Sequence, residues 1–353
     1  MSTIPTLPGI TSNFVDTPRL RQHVLMSGPT NGRPVLFIHG NASSATFWEE
    51  VMTKLPPGYR GIAPDLRGYG DTEDKLIDAT RGFGDWIDDL LALKQALGIT
   101  RYHLAGHSLG GSIAMWLIAA DAAAIQSATL VAPGSPYGFG GTKDLEGTPC
   151  NPDFAGSGGG VVNPNFAALV AKGDRGSDNP QASPRIVMNS FYFKPPFTAR
   201  REEDLLSSLL SEKIGPDKYP GDLTPSANWP NVAPGVLGPA NALSPKYVGD
   251  SVQRFIACTP KPPILWVRGS HDQIVGDMSL FCMGTLGKLG VVPGWPGDDV
   301  YPPQPMVSQT RAVLEKYAAD NGQFEEVVME DTGHSPFIEK PDAFMAMFTR
   351  RIS

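Results

Sequence analysis

The stretch Gly106-His107-Ser108-Leu109-Gly110 constrains this chain more than any other, because it stands where a buried strand gives way to a helix. Before it runs Tyr102-His103-Leu104-Ala105, and after it runs Ile113-Ala114-Met115-Trp116-Leu117-Ile118-Ala119-Ala120. A Gly-x-Ser-x-Gly between two such patterns predicts a strained strand-to-helix turn that lifts a serine hydroxyl clear of a sheet edge. Side chains two positions either side of the serine would collide as the backbone folds back, so small residues are required there. The bare pattern carries little weight; its flanks give it meaning.

The surrounding sequence supplies a sheet for that turn. Pro34-Val35-Leu36-Phe37-Ile38 is a continuous apolar run ending at His39-Gly40, as in a strand buried on both faces. Further strands are expected over 19–26 and 59–63. Ser43 or Ser44 can cap a helix carrying Phe47, Trp48, Val51 and Leu55, which Pro56-Pro57-Gly58 ends. Residues 83–97 show apolar positions at helical spacing with Gly98 as the stop. Ala128-Thr129-Leu130-Val131 reads as one more strand. This alternation predicts βαβ units, an α/β fold with a mostly parallel central sheet flanked by helices.

From Pro133 to about Pro262 the rhythm breaks into Gly-, Pro- and Asn-rich sequence, with helical patterns over 201–213 and 166–172. It resumes at Pro263 with an apolar strand, a helix over 307–319, a strand over 324–329 and a last helix over 342–350. A structureless loop of that length inside a compact domain is disfavoured. The expected organisation is therefore a core of residues 1–133 and 263–353, with 134–262 inserted as a lid over the active site. Within the lid, Gly156-Ser157-Gly158-Gly159-Gly160 is expected to bury nothing and to be dispensable for folding. Residues 276–305 form a second irregular stretch.

Composition excludes some partners. A net charge of -7 argues against nucleic acid or an anionic membrane surface. Cys150, Cys258 and Cys282 show neither metal-ligand spacing nor a disulfide framework, which suits a reducing compartment. The first nine residues lack the basic start and apolar run of a secretory leader, and no apolar run approaches membrane-spanning length. The expectation is a cytoplasmic protein needing no metal or cofactor.

The chemistry-bearing residues fall in a fixed order. Ser108 is weakly nucleophilic unless a base takes its proton. His334, in Thr332-Gly333-His334-Ser335-Pro336 after the last strand, is the candidate base, since imidazole titrates near neutrality. Asp272, directly after the strand that begins at Pro263, is the candidate acid that orients it, with Asp277 as the nearest competitor. His23 and His103 lie in strand patterns and read as packing residues; His39 and His107 flank the centre and shape turns; His271 faces solvent. Asp65 and Arg67 read as a buried ion pair or a loop brace. Trp48, Tyr137, Phe139, Phe191, Tyr192, Phe193, Phe197, Trp229 and Tyr247 are candidates to line an apolar pocket.

These segments together resemble the α/β-hydrolase fold, in the branch with epoxide hydrolases, haloalkane dehalogenases and lidded esterases. The matching pieces are Phe37-Ile38-His39-Gly40-Asn41, Asp65-Leu66-Arg67-Gly68-Tyr69-Gly70, the elbow, the Asp272 segment and Gly333-His334-Ser335-Pro336. The chain order Ser, Asp, His is also that fold's. The resemblance covers about 20–133 and 263–353 and does not reach the insertion. Epoxide hydrolases and dehalogenases carry aspartate at the elbow where this chain has Ser108, and Leu109 stands where dehalogenases carry a halide-holding tryptophan. The resemblance thus implies an acyl-enzyme mechanism on Ser108, with the backbone N–H groups of Leu109 and Asn41 as the oxyanion hole. The substrate implied is a small-molecule ester or lactone with a bulky apolar part. An amidase or peptidase, a carbon–carbon bond hydrolase, a ligand receptor with a silent triad and a cofactor-free lyase stay open; Glu202, Glu203 and Asp204, the dense acidic cluster of the insertion, read as the start of an exposed helix.

Overall fold

The computed structural model describes residues 4–353. Eight strands build its main sheet: β1 (Ile10–Asp16), β2 (Arg21–Ser27), β3 (Arg33–Ile38), β4 (Tyr59–Pro64), β5 (Tyr102–His107), β6 (Ile125–Val131), β7 (Ile264–Gly269) and β8 (Phe324–Met329). They lie in the order β1-β2-β4-β3-β5-β6-β7-β8. All neighbours from β4 to β8 pair in parallel, while β1 and β2 form an antiparallel edge. The mostly parallel sheet expected from the alternating pattern is present. The edge strand β1 escaped that pattern because its sequence, Ile-Thr-Ser-Asn-Phe-Val-Asp, is largely exposed and carries little apolar periodicity.

Both faces of the sheet are covered, which is why its central strands read as unbroken apolar runs. On one face α2 (Gly84–Ala96), α3 (Leu109–Asp121), α6 (Ser251–Ala257) and α7 (Met306–Ala319) enclose a core that includes Leu36, Ile38, Leu104, Leu130 and Trp266. On the other, α1 (Glu49–Thr53), α5 (Glu202–Leu209) and α8 (Pro341–Ile352) pack over Val35, Phe37, Ala105, Val131 and Val267. Ser44 caps the turn Ala45–Trp48 that leads into α1, its hydroxyl accepting from the Thr46 N–H. Among the described residues no helix is long and apolar enough to cross a membrane.

Between β6 and β7 the chain leaves the sheet for residues 132–263. That stretch holds α4 (Pro164–Ala171), α5, α6 and paired strands of two or three residues, such as Leu223–Pro225 with Val232–Pro234. The helix expected over 201–213 stops at Leu209, so Ser211, Glu212 and Lys213 form a turn that runs back to the sheet. Lys213 closes that turn onto the loop after β4, its N–H on the Gly68 carbonyl at 2.9 Å and its Nζ on the Gly70 carbonyl at 2.8 Å.

The glycine run overturns one expectation. Residues 156–159 are buried, not idle at the surface. A Cβ on Gly156, whose φ is +82°, would lie 2.0 Å from the Tyr301 hydroxyl, and one on Gly158 would lie 2.4 Å from Asn241 Oδ1. The Gly159 N–H donates to that same Asn241 oxygen at 2.8 Å. Glycines that look like a linker in sequence are here the places where neighbouring chain comes closer than any side chain allows. Gly156→Ala is therefore expected to destabilise the fold by roughly 1–3 kcal/mol, and deletion of 156–160 by more. Thermal and urea melts check this, and an unchanged melt would mean that the run is not packed as described.

Candidate active site

Ser108 stands at the end of β5 with φ +55° and ψ -119°, a region that L residues enter only under constraint. The constraint is local packing. Its N–H is tied to the Val131 carbonyl at 2.9 Å, and its own carbonyl accepts from Gly111 and Ser112 as α3 begins. A Cβ on Gly106 would meet the Gly110 carbonyl oxygen at 2.2 Å, and one on Gly110 would meet the Ile38 carbonyl oxygen at 2.2 Å. The small residues demanded by the motif are thus explained by contact.

The loop after β3 lies against this turn: a Cβ on Gly40 would sit 3.1 Å from the Ser108 Cβ. His39 anchors that loop. Its Nε2 accepts from the Leu66 N–H at 2.9 Å, which leaves Nδ1–H to donate to the Gly40 carbonyl at 2.8 Å. Burial holds His39 below the usual imidazole range, as this neutral tautomer requires. The next residues, Asn41 and Ala42, turn sharply, with Ala42 at φ +45°. Asn41 thus follows directly on the Gly40 that touches Ser108, while Leu109 follows the serine in the chain.

Asp272 and His334 meet across the ends of β7 and β8. His334 Nδ1 and Asp272 Oδ2 are 2.8 Å apart, with side chains 3% and 4% exposed. Oδ1 of Asp272 accepts from the N–H groups of Ile274 and Val275 at 2.8 and 2.9 Å, so both carboxyl oxygens are held by donors. A carboxylate on Nδ1 leaves Nε2 free to accept a proton. Asp277 does other work, capping α7 through Val307 and Ser308.

The His334 loop is itself held to the elbow. His107 Nε2–H donates to the His334 carbonyl at 2.9 Å, their rings 4.8 Å apart. Burial keeps His107 neutral, well below its ordinary range. The residue before the serine thus fastens the backbone of the histidine. Glu339 holds the Gly333 N–H at 2.7 Å and the Lys194 N–H at 2.8 Å, and Ser335 N–H donates to the Tyr192 carbonyl at 2.8 Å.

Asp65 and Arg67 brace loops, but not as a pair. Burial would raise the Asp65 carboxyl; bonds from His23 at 2.7 Å and the Ala45 N–H at 2.8 Å outweigh it and hold it low. Arg67 instead grips Asp89 through two bonds of 2.8 Å. His23, Asp65 and Asp71 are the group among the described residues whose metal-ligating atoms come within 4.8 Å of one another. Both His23 nitrogens are already engaged, by Asp65 and by Ser12. His103 pairs with Ser127 at 2.8 Å, burial lowering it to about 4, and His271 is exposed.

Two residues at the site are not among the candidates given a role from the sequence. Tyr69 donates to Asn41 Oδ1 at 2.7 Å. Glu212, on the turn after α5, is buried beside it. Of the aromatic candidates, Tyr192 reaches the site, its hydroxyl bonding the Ala42 carbonyl at 3.1 Å. Trp48 does not line a pocket; it is fully buried and stacks on Phe337 at 4.4 Å. The cluster Glu202-Glu203-Asp204 opens α5, where Arg175, Arg185 and Arg201 pair with it.

A sheet in this order, with a serine elbow after β5 and an acid and a histidine after β7 and β8, defines a class. Residues 35–347 match the model of the alpha/beta hydrolase family, and the chain belongs to that family. It is 30% identical over 112 residues to a serine hydrolase-like protein of Danio rerio, covering 32% of this chain and 33% of that one. It is 35% identical over 103 residues to epoxide hydrolase 2 of Siraitia grosvenorii, covering 29% and 32%. The matched stretch thus spans about a third of the length of these curated relatives. The carboxylesterase CesB of Bacillus subtilis superposes with a TM-score of 0.56 at 15% identity, over 96% of this chain and 90% of that one.

The buried histidines make a pH prediction. His39 and His107 are held below 6.5 when folded, so as pH falls through 6.5 the unfolded chain gains protons that the folded chain does not. Their contribution to stability is therefore full above that pH and is lost progressively below it. His107→Leu is expected to lower stability at pH 7.5 by about 1–3 kcal/mol, because the His334 carbonyl loses its donor. The variant should also show a shallower decline toward pH 5 in urea titrations. An equally steep decline would mean that His107 is not held neutral.

Proposed function

We propose that the chain is a serine hydrolase acting on a carboxylic ester or lactone with a bulky apolar or aromatic part. The observation that carries this reading is the Asp272–His334 pair, fastened through His107 to a serine held at φ +55°. His334 Nε2 takes the Ser108 proton as the hydroxyl attacks the carbonyl carbon. Asp272 fixes the ring and stabilises the imidazolium that forms. The N–H groups of Asn41 and Leu109 bind the oxyanion, at a helix start whose free donors favour negative charge. Collapse of the tetrahedral intermediate expels the alcohol, protonated by His334, and leaves an acyl group on Ser108. Water then repeats the sequence and releases the acid.

Residues 134–262 serve in this reading as a lid, and its support is contact. Tyr192, from that segment, donates through its hydroxyl to the Asn41 and Ala42 carbonyls, and its own carbonyl accepts from the Ser335 N–H beside His334. Esterase chemistry is supported further by the carboxylesterase among the similar folds. A peptidase would want an acidic site for a substrate amine, and the acidic cluster that opens α5 is already paired with arginines.

Intact-mass analysis after a fluorophosphonate probe tests the reading. One label is expected per chain, absent in Ser108→Ala and His334→Ala. On an aryl ester panel, Asp272→Asn is expected to lower kcat by roughly 10³–10⁴-fold with little change in thermal stability. A folded wild type that neither labels nor hydrolyses, yet binds a ligand tightly, would turn the assignment toward a receptor.

A further inference from the structure

Glu212 is a buried acid beside Tyr69 and the Asn41–Ala42 loop that the proposed mechanism leaves idle. It is 4% exposed, three residues past the end of α5, and neither carboxyl oxygen makes a well-directed hydrogen bond. The carboxyl abuts the Ala42 N–H and the Tyr69 hydroxyl. Tyr192 and Tyr219 are the other titratable groups close enough to feel its charge. His39 packs on Tyr69 from behind, its ring 5.1 Å away, and is neutral. The ring of His334 is 6.4 Å from that of Tyr192. Lys213, the next residue, spends its ammonium on the Gly70 carbonyl, so no cation is turned toward the carboxyl from its own turn.

Counting protons decides the state of this acid. Tyr69 has one hydroxyl proton, and it is donated to Asn41 Oδ1 at 2.7 Å. The phenol oxygen can then only accept from Glu212. An ionised Glu212 would set lone pairs against lone pairs, whereas a carboxylic acid can donate. Burial among phenols pushes the carboxyl well above the usual carboxylate range, in the same direction.

Asn41 needs holding from outside. The peptide that follows it leads into Ala42 at φ +45°, a conformation that costs energy unless neighbours enforce it. Tyr192 grips this loop by its carbonyls, at 3.4 Å to Asn41 and 3.1 Å to Ala42, and Tyr69 grips it by the Asn41 side chain.

We propose that Glu212, as a neutral carboxylic acid, heads a relay Glu212 O–H to Tyr69 O–H to Asn41 Oδ1, and is a positioning residue for the oxyanion-binding loop. This rests on the hydrolase reading above, in which the Asn41 N–H binds the oxyanion. The residue lies outside the sheet, on the turn that Lys213 fixes to the loop after β4, so the relay couples the 132–263 segment to transition-state binding. Ionisation reverses it. A carboxylate at Glu212 draws the Tyr69 proton to itself, and the Asn41 side chain loses its donor.

The test is aryl ester kinetics across pH for wild type, Glu212→Gln, Glu212→Leu and Tyr69→Phe, with thermal melts of each. Glu212→Leu is expected to lower kcat roughly 10- to 100-fold with KM within about threefold, since a misplaced catalytic group costs rate more than binding. Its melting temperature should be unchanged or raised, because an apolar side chain of similar size removes a buried polar group. Tyr69→Phe should lose the same amount, and the double variant no more than either. Glu212→Gln, which keeps an N–H donor, should recover most of kcat and abolish the alkaline fall caused by ionisation. In the infrared, wild type should show a protonated-carboxyl band that Glu212→Gln lacks. A Glu212→Leu enzyme as fast as wild type, or one slowed only in step with lost stability, would overturn the relay alone. A wild type inert to both fluorophosphonate and esters would overturn the hydrolase reading and the relay with it.

Discussion

A Cβ on Gly110 would lie 2.2 Å from the Ile38 carbonyl oxygen and 2.5 Å from that of His39, so α3 reaches the end of β3 only because that side chain is missing. Much follows from this contact. It sets the start of α3, with its free N–H groups, beside the loop that carries Asn41. It leaves the chain between β5 and α3 a single residue in which to turn, and that residue is forced to φ +55°. The same parallel register that brings β3 beside β5 also aligns β6, β7 and β8, so the loops bearing Asp272 and His334 emerge at the same edge. A ligand site at the carboxyl ends of strands is the general consequence of such a sheet.

Histidine has several roles within a few ångströms, and environment alone separates them. His39 and His107 are fully enclosed and neutral, and each is fixed as a tautomer by a backbone group: one accepts from Leu66, the other donates to His334. They behave as rigid polar struts. His334 is equally buried but faces Asp272, the arrangement in which a ring can become charged without leaving its partner. His23 has a carboxylate too, yet Asp65 spends its other bonds on Ala45 and Asp71, far along a loop brace. Burial by itself therefore does not single out the base proposed for this site; what sets His334 apart is a carboxylate held on its Nδ1 beside the serine turn.

How much of this was legible in the sequence follows from how each contact is encoded. The elbow and Asp272 follow apolar strands buried on both faces, and local periodicity locates them; His334 follows a half-buried edge strand and is located by its loop sequence and chain order. β1 was missed since a solvated antiparallel edge needs no apolar rhythm. Glu212 was hidden for a different reason. It sits in Leu209-Leu210-Ser211-Glu212-Lys213, where a helical pattern makes an acid look like part of a solvated face. The helix stops at Leu209, and the turn that follows carries the carboxyl inward. Its partners, Ala42 and Tyr69, are more than a hundred residues away in the chain, and no local pattern encodes them. Gly156 to Gly160 misled through composition, because a glycine used for close approach and a glycine used for flexibility are the same letter.

These last two cases bear on how the 132–263 segment relates to the sheet. A flexible cover joined by slack linkers would have few ties to the site and could move without changing it. Here the ties are specific and polar: Ser208 to Ser44 at 2.6 Å, Lys213 to Gly68 and Gly70, Tyr192 to Ala42, and Lys194 to Glu339. They attach to the loop after β3, the loop after β4 and the loop of His334, which are the parts that the proposed mechanism needs to hold still. Glu339 makes the point most directly, since one carboxyl holds Gly333 with one oxygen and Lys194 with the other. Movement of the segment would loosen these loops themselves, so under the hydrolase reading proposed above, access of substrate and assembly of the site would be coupled.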